Sequence, residues 1–410
     1  MIEIPVLKPP DILADLLSEF RPIFDRRQYR QFCRYITASW ASPTRSVAHL
    51  NGISVEHTNQ SNMNRFLRNV NTLDIFRRSV DLINRFCTDP VLVLDDTVLQ
   101  RSGKHIQGAG WVYDHSEGKT VWGVPVISAA VSGNEGIFPL NMDIKPVSRD
   151  DLVNINEGKK KNFHMSKITM QMAVVRRAVT AGLNFSIALF DSWYFAAKLT
   201  GFLESLGKDW ITEAKSDRKI LVDGEWIGIG EYEESLNPGN MKCYTIGGRQ
   251  YFTRSIVTKM KKIGDVRIVV SRGTEGKKFF VTNMIAWKPK RIMETYLRRW
   301  DIETMHREIK QDGIRRTFQR VFAGIVSTTK LSLLGDLLLE ISAMRSLETQ
   351  LKIGKGTPGL RYRSMALRLL QDLFMALEKK GQRLLDAIME SIRRPYKSTV
   401  AITGGQFAKL

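Results

Sequence analysis

The chain has 410 residues and carries 62 Lys and Arg against 42 Asp and Glu, a formal net charge of +20. That length accommodates two to four domains and a large core, and the charge exceeds what solubility requires, so a polyanionic partner is favoured, nucleic acid over a membrane surface. No run of 18 apolar residues or secretion signal occurs, and three widely spaced cysteines argue against a zinc site and for a reducing cytosol.

The first segment, residues 1–89, reads as a helical DNA-binding domain. Residues 46–52 form a short helical pattern that ends in a glycine, and residues 58–70 form a second, polar one. This arrangement resembles a helix-turn-helix, which would present Arg65 and Arg68 to DNA. An ordinary small helical bundle remains the alternative.

Residues 90–215 alternate between strand and helix patterns, as an α/β core does. The apolar strand Val91–Leu94 leads to Asp95 and Asp96, and a second apolar strand leads to Asp191. Side chains alternate along a strand, so only one of the first two aspartates can face a shared site. Such aspartates are also common as loop or capping residues, and the pairing of two strand ends is what favours a site.

Three segments complete the chain. Residues 216–288 are predicted to be a β-rich insertion, because short runs there alternate between apolar and polar residues. Residues 289–320 return to the core with a long helix that starts at Pro289, a favoured first-turn position. Residues 321–410 are mostly helical, and residues 310–410 alone contribute +10 of the net charge.

The long helix around residues 290–312 places Tyr296, Arg299, Glu303 and Lys310 on one stripe, within roughly 60° of one another around a continuous helix axis. Such a stripe is a poor core and a good way to place a metal ligand beside phosphate groups. An ion pair between Arg299 and Glu303 on a solvated face is the alternative. With the two aspartates, Glu303 completes a three-carboxylate set, which would suit two Mg²⁺ ions in phosphoryl transfer.

The spacing of these four residues resembles the YREK signature of DDE transposases from bacterial insertion sequences, and the order of the aspartate strands is similar as well. The resemblance covers about residues 90–320. It implies an RNase H-like mixed sheet flanked by helices. Because the first carboxylate of the family directly precedes a threonine, it implies Asp96 rather than Asp95, followed by Asp191 and Glu303, as catalytic residues and metal ligands.

The same resemblance implies an activity. Tyr296, Arg299 and Lys310 would contact the phosphate backbone of a transposon end. The enzyme would cleave with two Mg²⁺ ions, for which Mn²⁺ can substitute, to free 3′-hydroxyl ends, and would join them to target DNA by cut and paste. Its partners would be double-stranded DNA, both transposon ends and target, and a second copy of the chain in a synaptic complex, with no membrane. The location would be the bacterial cytoplasm, at the nucleoid.

For four further residues the sequence leaves two interpretations each. Lys104, with His105, lies after the first strand and is a candidate DNA contact, although an exposed turn is the simpler interpretation. Trp193 and Tyr194 would either stack on an unpaired base or belong to the core. Two other functions compete with a transposase, namely a non-catalytic DNA-binding protein derived from one, and a structure-selective nuclease of the same fold.

Overall fold

The computed structural model describes residues 5–42, 44–56, 58–103, 105–147, 165–274, 276–311, 314, 319–342 and 358–393. Lys104 therefore lies outside the described residues. The order of elements within them is helical, then mixed α/β, then β-rich, then helical. All three cysteines are free thiols.

In the described part of the N-terminal region, five α-helices precede the first strand. Side-chain caps fix the starts of several of them: Asp25 accepts the backbone N–H groups of Arg27 and Gln28, and Asn71 accepts those of Leu73 and Asp74. The helices are α1 (Asp11–Ser18), α2 (Arg26–Ala41), α3 (Val47–Gly52), α4 (Gln60–Asn69) and α5 (Thr72–Phe86).

The centre of the fold is a mixed sheet with the strand order β4-β3-β1-β5-β6. Strand β1 runs parallel to β5, β5 runs parallel to β6, and the β1–β3 and β3–β4 pairs are antiparallel. This is the strand order and direction of an RNase H-like fold, as the sequence predicted. The strands are β1 (Val91–Gln100), β2 (Gly110–Asp114), β3 (Lys119–Ser132), β4 (Ile137–Ile144), β5 (Ile187–Phe190) and β6 (Asp209–Glu213).

One expectation about these strands was wrong. Strand β1 does not end at the aspartates but continues through them to Gln100, because every residue from Val91 to Gln100 pairs with β3. Only β5 ends directly before its aspartate, Asp191. The parallel pairing of β1 with β5 stops at Val93, so Asp95 and Asp96 lie beyond it.

The β-rich segment extends this sheet. Its last strand, β12, pairs antiparallel with β6, and the order continues β12-β11-β10-β7-β8, with β9 on β10. A single 12-stranded sheet therefore carries both regions. Its added elements are β7 (Lys219–Val222), β8 (Glu225–Gly228), β9 (Lys242–Ile246), β10 (Arg249–Met260), β11 (Gly264–Gly273) and β12 (Gly276–Thr282).

Helices pack on both faces of the sheet, and the last two helices pack on each other, with the first of the two also on α2. Leu92 and Leu94 face a core shared with the N-terminal helices, whereas Val91 and Val93 face a second core shared with the helices after Pro289. The other helices in the described part of the chain are α6 (Lys167–Thr180), α7 (Ala197–Ser205), α8 (Ile229–Glu234), α9 (Pro289–Leu297), α10 (Trp300–Gln311), α11 (Phe322–Ser342), α12 (Pro358–Lys380) and α13 (Gln382–Arg393).

The long helix predicted around residues 290–312 is interrupted at Arg298 and Arg299, which separate α9 from α10. The backbone N–H groups of both residues bond to carbonyls three residues earlier, which tightens the chain there. Arg298 then donates to Asp89 and to Ser132 Oγ, which itself donates to Asp301. These contacts anchor the start of α10 on β3, so Tyr296 and Glu303 belong to different helices.

Helix α11 has the length and apolar composition of a membrane span, and most of it is buried within the protein. It packs against β4 and the N-terminal helices α2, α4 and α5.

Lys330 of α11 donates to Asp143 Oδ1 at 2.6 Å, and Arg177 of α6 pairs with the other carboxylate oxygen of Asp143. Burial raises the pKa of Asp143, but attraction to the two cations outweighs it and holds that pKa at about 2.

We expect Asp143→Asn to lower the free energy of unfolding by about 3–5 kcal/mol at neutral pH, because it leaves the buried Lys330 and the half-buried Arg177 without their carboxylate. Urea unfolding measures the effect, and the exposed Asp265→Asn is the control. Because the folded pKa of Asp143 lies below its unfolded value of about 3.9, its contribution is present above that pH and is lost toward pH 2. A difference between wild type and variant that fails to narrow over this interval would contradict the ion-pair account.

Candidate active site

Three carboxylates lie level with one another on adjacent parallel strands. In the paired register Val93 of β1 lies beside Leu189 of β5, which lies beside Ile211 of β6. Asp95, Asp191 and Glu213 each stand two residues farther along. Neighbouring strands are about 4.8 Å apart, so the three carboxylates form a row at the carboxyl ends of β5 and β6. We call Asp95, Asp191 and Glu213 the carboxylate row.

The row faces helix α10. Val93, Leu189 and Ile211 belong to the core that includes Ile302, Met305 and Ile309 of α10, and residues two apart on a strand share a face. Asp95 Oδ2 lies 3.9 Å from Nδ1 of His306 on α10. Nε2 of His306 in turn lies 2.7 Å from Oγ of Ser128, the cross-strand neighbour of Asp95. Asp95 thus lies on the same side of the sheet as Glu303.

Asp96 points to the opposite face. Its Oδ2 accepts a hydrogen bond from Lys167 Nζ at 2.7 Å, and its Oδ1 accepts one from the hydroxyl of Tyr194 at 2.6 Å. Tyr194 is fully buried, so it belongs to the core rather than to a base-stacking surface. Trp193 is 49% exposed, and Lys167 lies over its ring at 4.8 Å.

The catalytic role predicted for Asp96 stays a prediction. Its geometry differs from that of Asp95 in one respect that matters for a shared site. Asp96 is held by a protein cation on the face away from α10, whereas Asp95 shares the face of Asp191. Both aspartates still border one cavity.

That cavity has a volume of about 850 Å³ and collects several of the predicted residues. Asp95, Asp96 and Glu303 line it together with Lys310. Glu303 is 43% exposed at its side chain, and its Oε1 accepts a hydrogen bond from Arg299 Nη2 at 2.7 Å. The ion pair weighed against a metal site is therefore present, but it lies inside the cavity instead of on an outer face.

Arg299 lies at the centre of the negative charges. Burial lowers the pKa of its guanidinium, but attraction to Tyr296, Glu303 and Asp95 outweighs burial and raises that pKa. Arg299 also attracts Asp191 and Glu213. Arg299 and Tyr296 are only 8% and 2% exposed, and the guanidinium of Arg299 lies close to the hydroxyl of Tyr296.

Burial and neighbouring negative charges both act on the pKa values of the carboxylate row. Burial raises the pKa of Asp95 to about 7, and the charge of Asp191 adds to the effect. Burial likewise raises the pKa of Asp191, although backbone N–H groups of its own turn and Arg299 oppose it. Burial lowers the pKa of His306 to about 3, so this residue is neutral at physiological pH. Buried like charges of this kind are typical of sites that bind a cation.

The donor set fits a hard divalent cation such as Mg²⁺, because every candidate ligand is a carboxylate oxygen. Within the described part of the chain, no three His, Cys, Asp or Glu side chains are placed to hold an ion together. The bond from Arg299 accounts for this at Glu303, which points its carboxylate at the guanidinium. For Glu303 to join the aspartates as a ligand, Arg299 must release it.

The other predicted DNA contacts are dispersed. Lys310 is half-buried, and its charge helps to lower the pKa of Asp114 on β2 against the opposing effect of burial. Arg65 and Arg68 are exposed on α4. Neither their role nor that of Lys310 is tested by this geometry.

Three neighbours of the site were missed from the sequence. Lys167 follows a polar stretch without any motif, and nothing in the sequence associates it with Asp96. The sequence analysis favoured Asp96 over Asp95 as the first carboxylate of the site. The two residues differ in the face of the sheet to which their side chains point. Glu213 had a usable signal, because it is the third acidic residue at or just after the end of an apolar strand in the α/β region.

Two family profiles match the chain. That of the DDE superfamily endonuclease matches residues 19–225, half of the chain. That of the archaeal putative transposase ISC1217 matches residues 148–342. Together they include the carboxylate row and Glu303. No curated protein matches significantly. One solved structure, a piggyBac transposase synaptic complex with hairpin DNA, is 10% identical, with 82% of this chain and 68% of that chain covered, and its TM-score of 0.44 is too low to carry an argument.

We expect Tyr194→Phe to lower the free energy of unfolding by about 1.5–3 kcal/mol, because it removes a buried hydrogen bond to the charged Asp96. Tyr113→Phe is the matched control, since Tyr113 is 54% exposed and should change stability by no more than about 0.5 kcal/mol. Chemical unfolding at neutral pH measures both. Equal effects of the two substitutions would show that the Tyr194–Asp96 bond does not form.

Proposed function

The chain belongs to the DDE superfamily endonucleases, and from this premise we propose that it is a transposase that cleaves the ends of a DNA element and joins them to target DNA. The observation that carries the proposal is the carboxylate row on the face of the sheet that α10 covers, where Asp95 and Glu303 line one cavity. A site built only for structure would not bring buried carboxylates side by side, because their repulsion costs stability.

We propose that Asp95, Asp191 and Glu303 hold the divalent ions, with Asp96 as a neighbour. This differs from the expectation based on the threonine that follows Asp96. Support for Asp95 comes from its face of the sheet and its level with Asp191. Bound Mg²⁺ or Mn²⁺ would activate the attacking water or 3′-hydroxyl and stabilise the leaving 3′-oxygen.

The side chains around the ions have distinct tasks. Arg299, released from Glu303, can hold a phosphate bidentately, and Lys310 can attract the backbone as a point charge. The hydroxyl of Tyr296 can donate a hydrogen bond to a phosphate oxygen or a water. His306 stays neutral and supports Asp95 through Ser128 rather than moving a proton. Catalysis then rests on positioning and electrostatic stabilisation of the in-line transfer.

The remaining parts of the proposal rest on the resemblance to the YREK group of bacterial insertion sequences. They comprise cut-and-paste transfer of double-stranded ends, action of two copies of the chain in a synaptic complex, and a location in the bacterial cytoplasm. The formal charge of +20 supports the DNA partner. Exposed Arg65 and Arg68 of α4 remain candidates for contacts to the element end, as does Lys104.

Glu303→Gln should abolish metal-dependent cutting of DNA that carries the element ends, while end binding stays within about twofold, since the substitution removes a ligand but no positive charge. Cleavage on a denaturing gel and a mobility-shift assay measure the two properties. Glu294→Gln is the control, because Glu294 is exposed on α9.

Cleavage by the Glu303→Gln protein at the wild-type rate would contradict the proposal. If the wild-type chain bound the ends but never nicked supercoiled plasmid with Mg²⁺ or Mn²⁺, a non-catalytic DNA-binding protein would be the better interpretation. If it cut but could not join a precut 3′-end, it would be a nuclease.

The two aspartates of β1 can be separated by the same cleavage assay. Asp95→Asn should reduce the cleavage rate by at least about 100-fold, because it removes an ion ligand, whereas Asp96→Asn should retain more activity. Both substitutions keep side-chain volume and remove one charge, so each serves as the control for the other. A greater loss of cleavage rate in the Asp96→Asn variant would show that Asp96, and not Asp95, is the first carboxylate ligand.

A further inference from the structure

Helix α2 and the turn before it are rich in arginine. Residues 21–34 include five arginines and one acidic residue, Asp25. Arg26, Arg30 and Arg34 recur every four residues, so their side chains lie within about 80° of one another around the helix. Successive members of this row are about 6 Å apart along the helix axis. Arg26 and Arg30 are exposed, so most of the row faces solvent.

The row borders a cavity of about 620 Å³ on the N-terminal helices. Among the described residues, five basic and two acidic side chains line the cavity, an excess of three positive charges: Lys8, Arg21, Arg26, Arg30 and Arg34 against Asp11 and Glu56. The basic residues come from the segment before α1, the turn before α2 and α2 itself. The fold thus gathers positive charge that no single element supplies. We call this cavity the arginine groove.

Glu56 is shared between two of these arginines. Its Oε2 accepts a hydrogen bond from Arg30 Nη2 at 2.8 Å and lies 3.4 Å from Arg34 Nη2. Burial and the charge of Arg30 lower the pKa of Arg34, although the charge of Glu56 opposes them. One carboxylate therefore neutralises two neighbouring guanidinium groups incompletely, and a further anion would be attracted to them.

Asp11, the other acidic residue of the arginine groove, also lies among cations. Its Oδ1 accepts a hydrogen bond from Lys8 Nζ at 2.6 Å. That bond, together with the charges of Lys8, Arg368 and Lys379, holds the pKa of Asp11 below its ordinary value. Arg368 and Lys379 belong to α12, which packs on α2. Positive charge therefore adjoins the groove on α12 as well.

An ordinary solvated surface is the simpler interpretation of a charged cavity. Such surfaces mix both signs of charge, as the exposed pair of Arg77 and Asp74 on α5 does with one partner each. The arginine groove departs from that pattern, because its cations outnumber its carboxylates and share them. A concave site lined mainly by one sign of charge concentrates the electrostatic potential and attracts a polyanion.

We propose that the arginine groove binds the phosphate backbone of duplex DNA without regard to base sequence. Arginine binds phosphate bidentately, and a row of arginines at regular intervals suits the regular repeat of phosphates along a strand. A phosphate takes the place of Glu56 beside Arg30 and Arg34. The inference rests on the DNA-cleaving function proposed above and adds to it a second contact surface, whose lining shares no residue with the cavity of Glu303.

The test is fluorescence anisotropy of a labelled DNA duplex of arbitrary sequence, titrated with the full-length protein at several salt concentrations. The double variant Arg26→Gln/Arg30→Gln should weaken binding about tenfold and reduce the slope of log affinity against log salt by about two, one for each lost phosphate contact. Arg77→Gln is the matched control, because Arg77 is as exposed as Arg30 and also pairs with a carboxylate. It should change the affinity by no more than about twofold, since salt screens distant charges.

Glu56 distinguishes DNA binding from a purely structural role of its ion pair. If phosphate competes with Glu56, Glu56→Gln should strengthen duplex binding severalfold, opposite to the change at Arg30. If the pair only stabilises the N-terminal helices, removal of either partner should act in the same direction. Asp74→Asn is the control for the lost carboxylate, and its affinity should stay within about twofold of wild type. Circular dichroism verifies folding, and Glu56→Gln still tests the proposal if the double variant does not fold.

Unchanged affinity and salt slope in the double variant, or weaker binding in Glu56→Gln, would overturn the assignment of the arginine groove and leave the proposed function intact. A loss in Arg77→Gln as large as that in the double variant would also overturn it, because binding would then follow net charge alone. Failure of the wild-type chain to bind the duplex, whether or not it binds phosphatidylserine vesicles, would instead count against the proposed function as a whole, and with it the groove.

Discussion

The central constraint of this fold is that its sheet holds three buried carboxylates close together, where their negative charges repel one another. Parallel pairing of β1, β5 and β6 leaves Asp95, Asp191 and Glu213 at one level and on one face. Burial raises the pKa values of all three carboxyls, and the charge of Asp191 adds to the effect at Asp95 and Glu213. Backbone register is fixed by extensive apolar burial on both faces, so the carboxylates cannot move apart to relieve it.

The protein offsets this repulsion with its own basic side chains. Arg299 lies in the break between α9 and α10, where it reaches Glu303 and acts on the whole carboxylate row. In a continuous helix, the guanidinium of Arg299 would lie on the same stripe as Tyr296, Glu303 and Lys310. The break, which Arg298 anchors on β3, leaves Arg299 bonded to Glu303, a residue that lines the cavity. When a divalent ion and a phosphate bind, Arg299 would release Glu303, which would then bind the ion, and Arg299 would bind the phosphate instead.

Much of this was accessible from the sequence. Apolar runs of strand length gave β1, β5 and β6, the β-rich pattern gave the added strands, and Asp191 and Glu303 follow from strand ends and helical spacing. The choice between Asp95 and Asp96 was not accessible, because alternation shows that they face opposite sides but not which side α10 covers. The helix break was missed because Arg298 and Arg299 are good helix formers, and the residues that bond to Arg298 at the turn, Asp89 and Ser132, are distant in the sequence. A local pattern places Glu213 at the end of an apolar strand, but its level with Asp191 depends on the strand order of the sheet.

The most direct measurement of the central claim is anomalous diffraction from crystals of the full-length protein grown with MnCl₂. We predict a manganese peak in the cavity at roughly 2.0–2.3 Å from carboxylate oxygens of both Asp95 and Asp191. A peak coordinated by Asp96 on the face of Lys167, or a cavity without manganese at saturating concentration, would contradict the account.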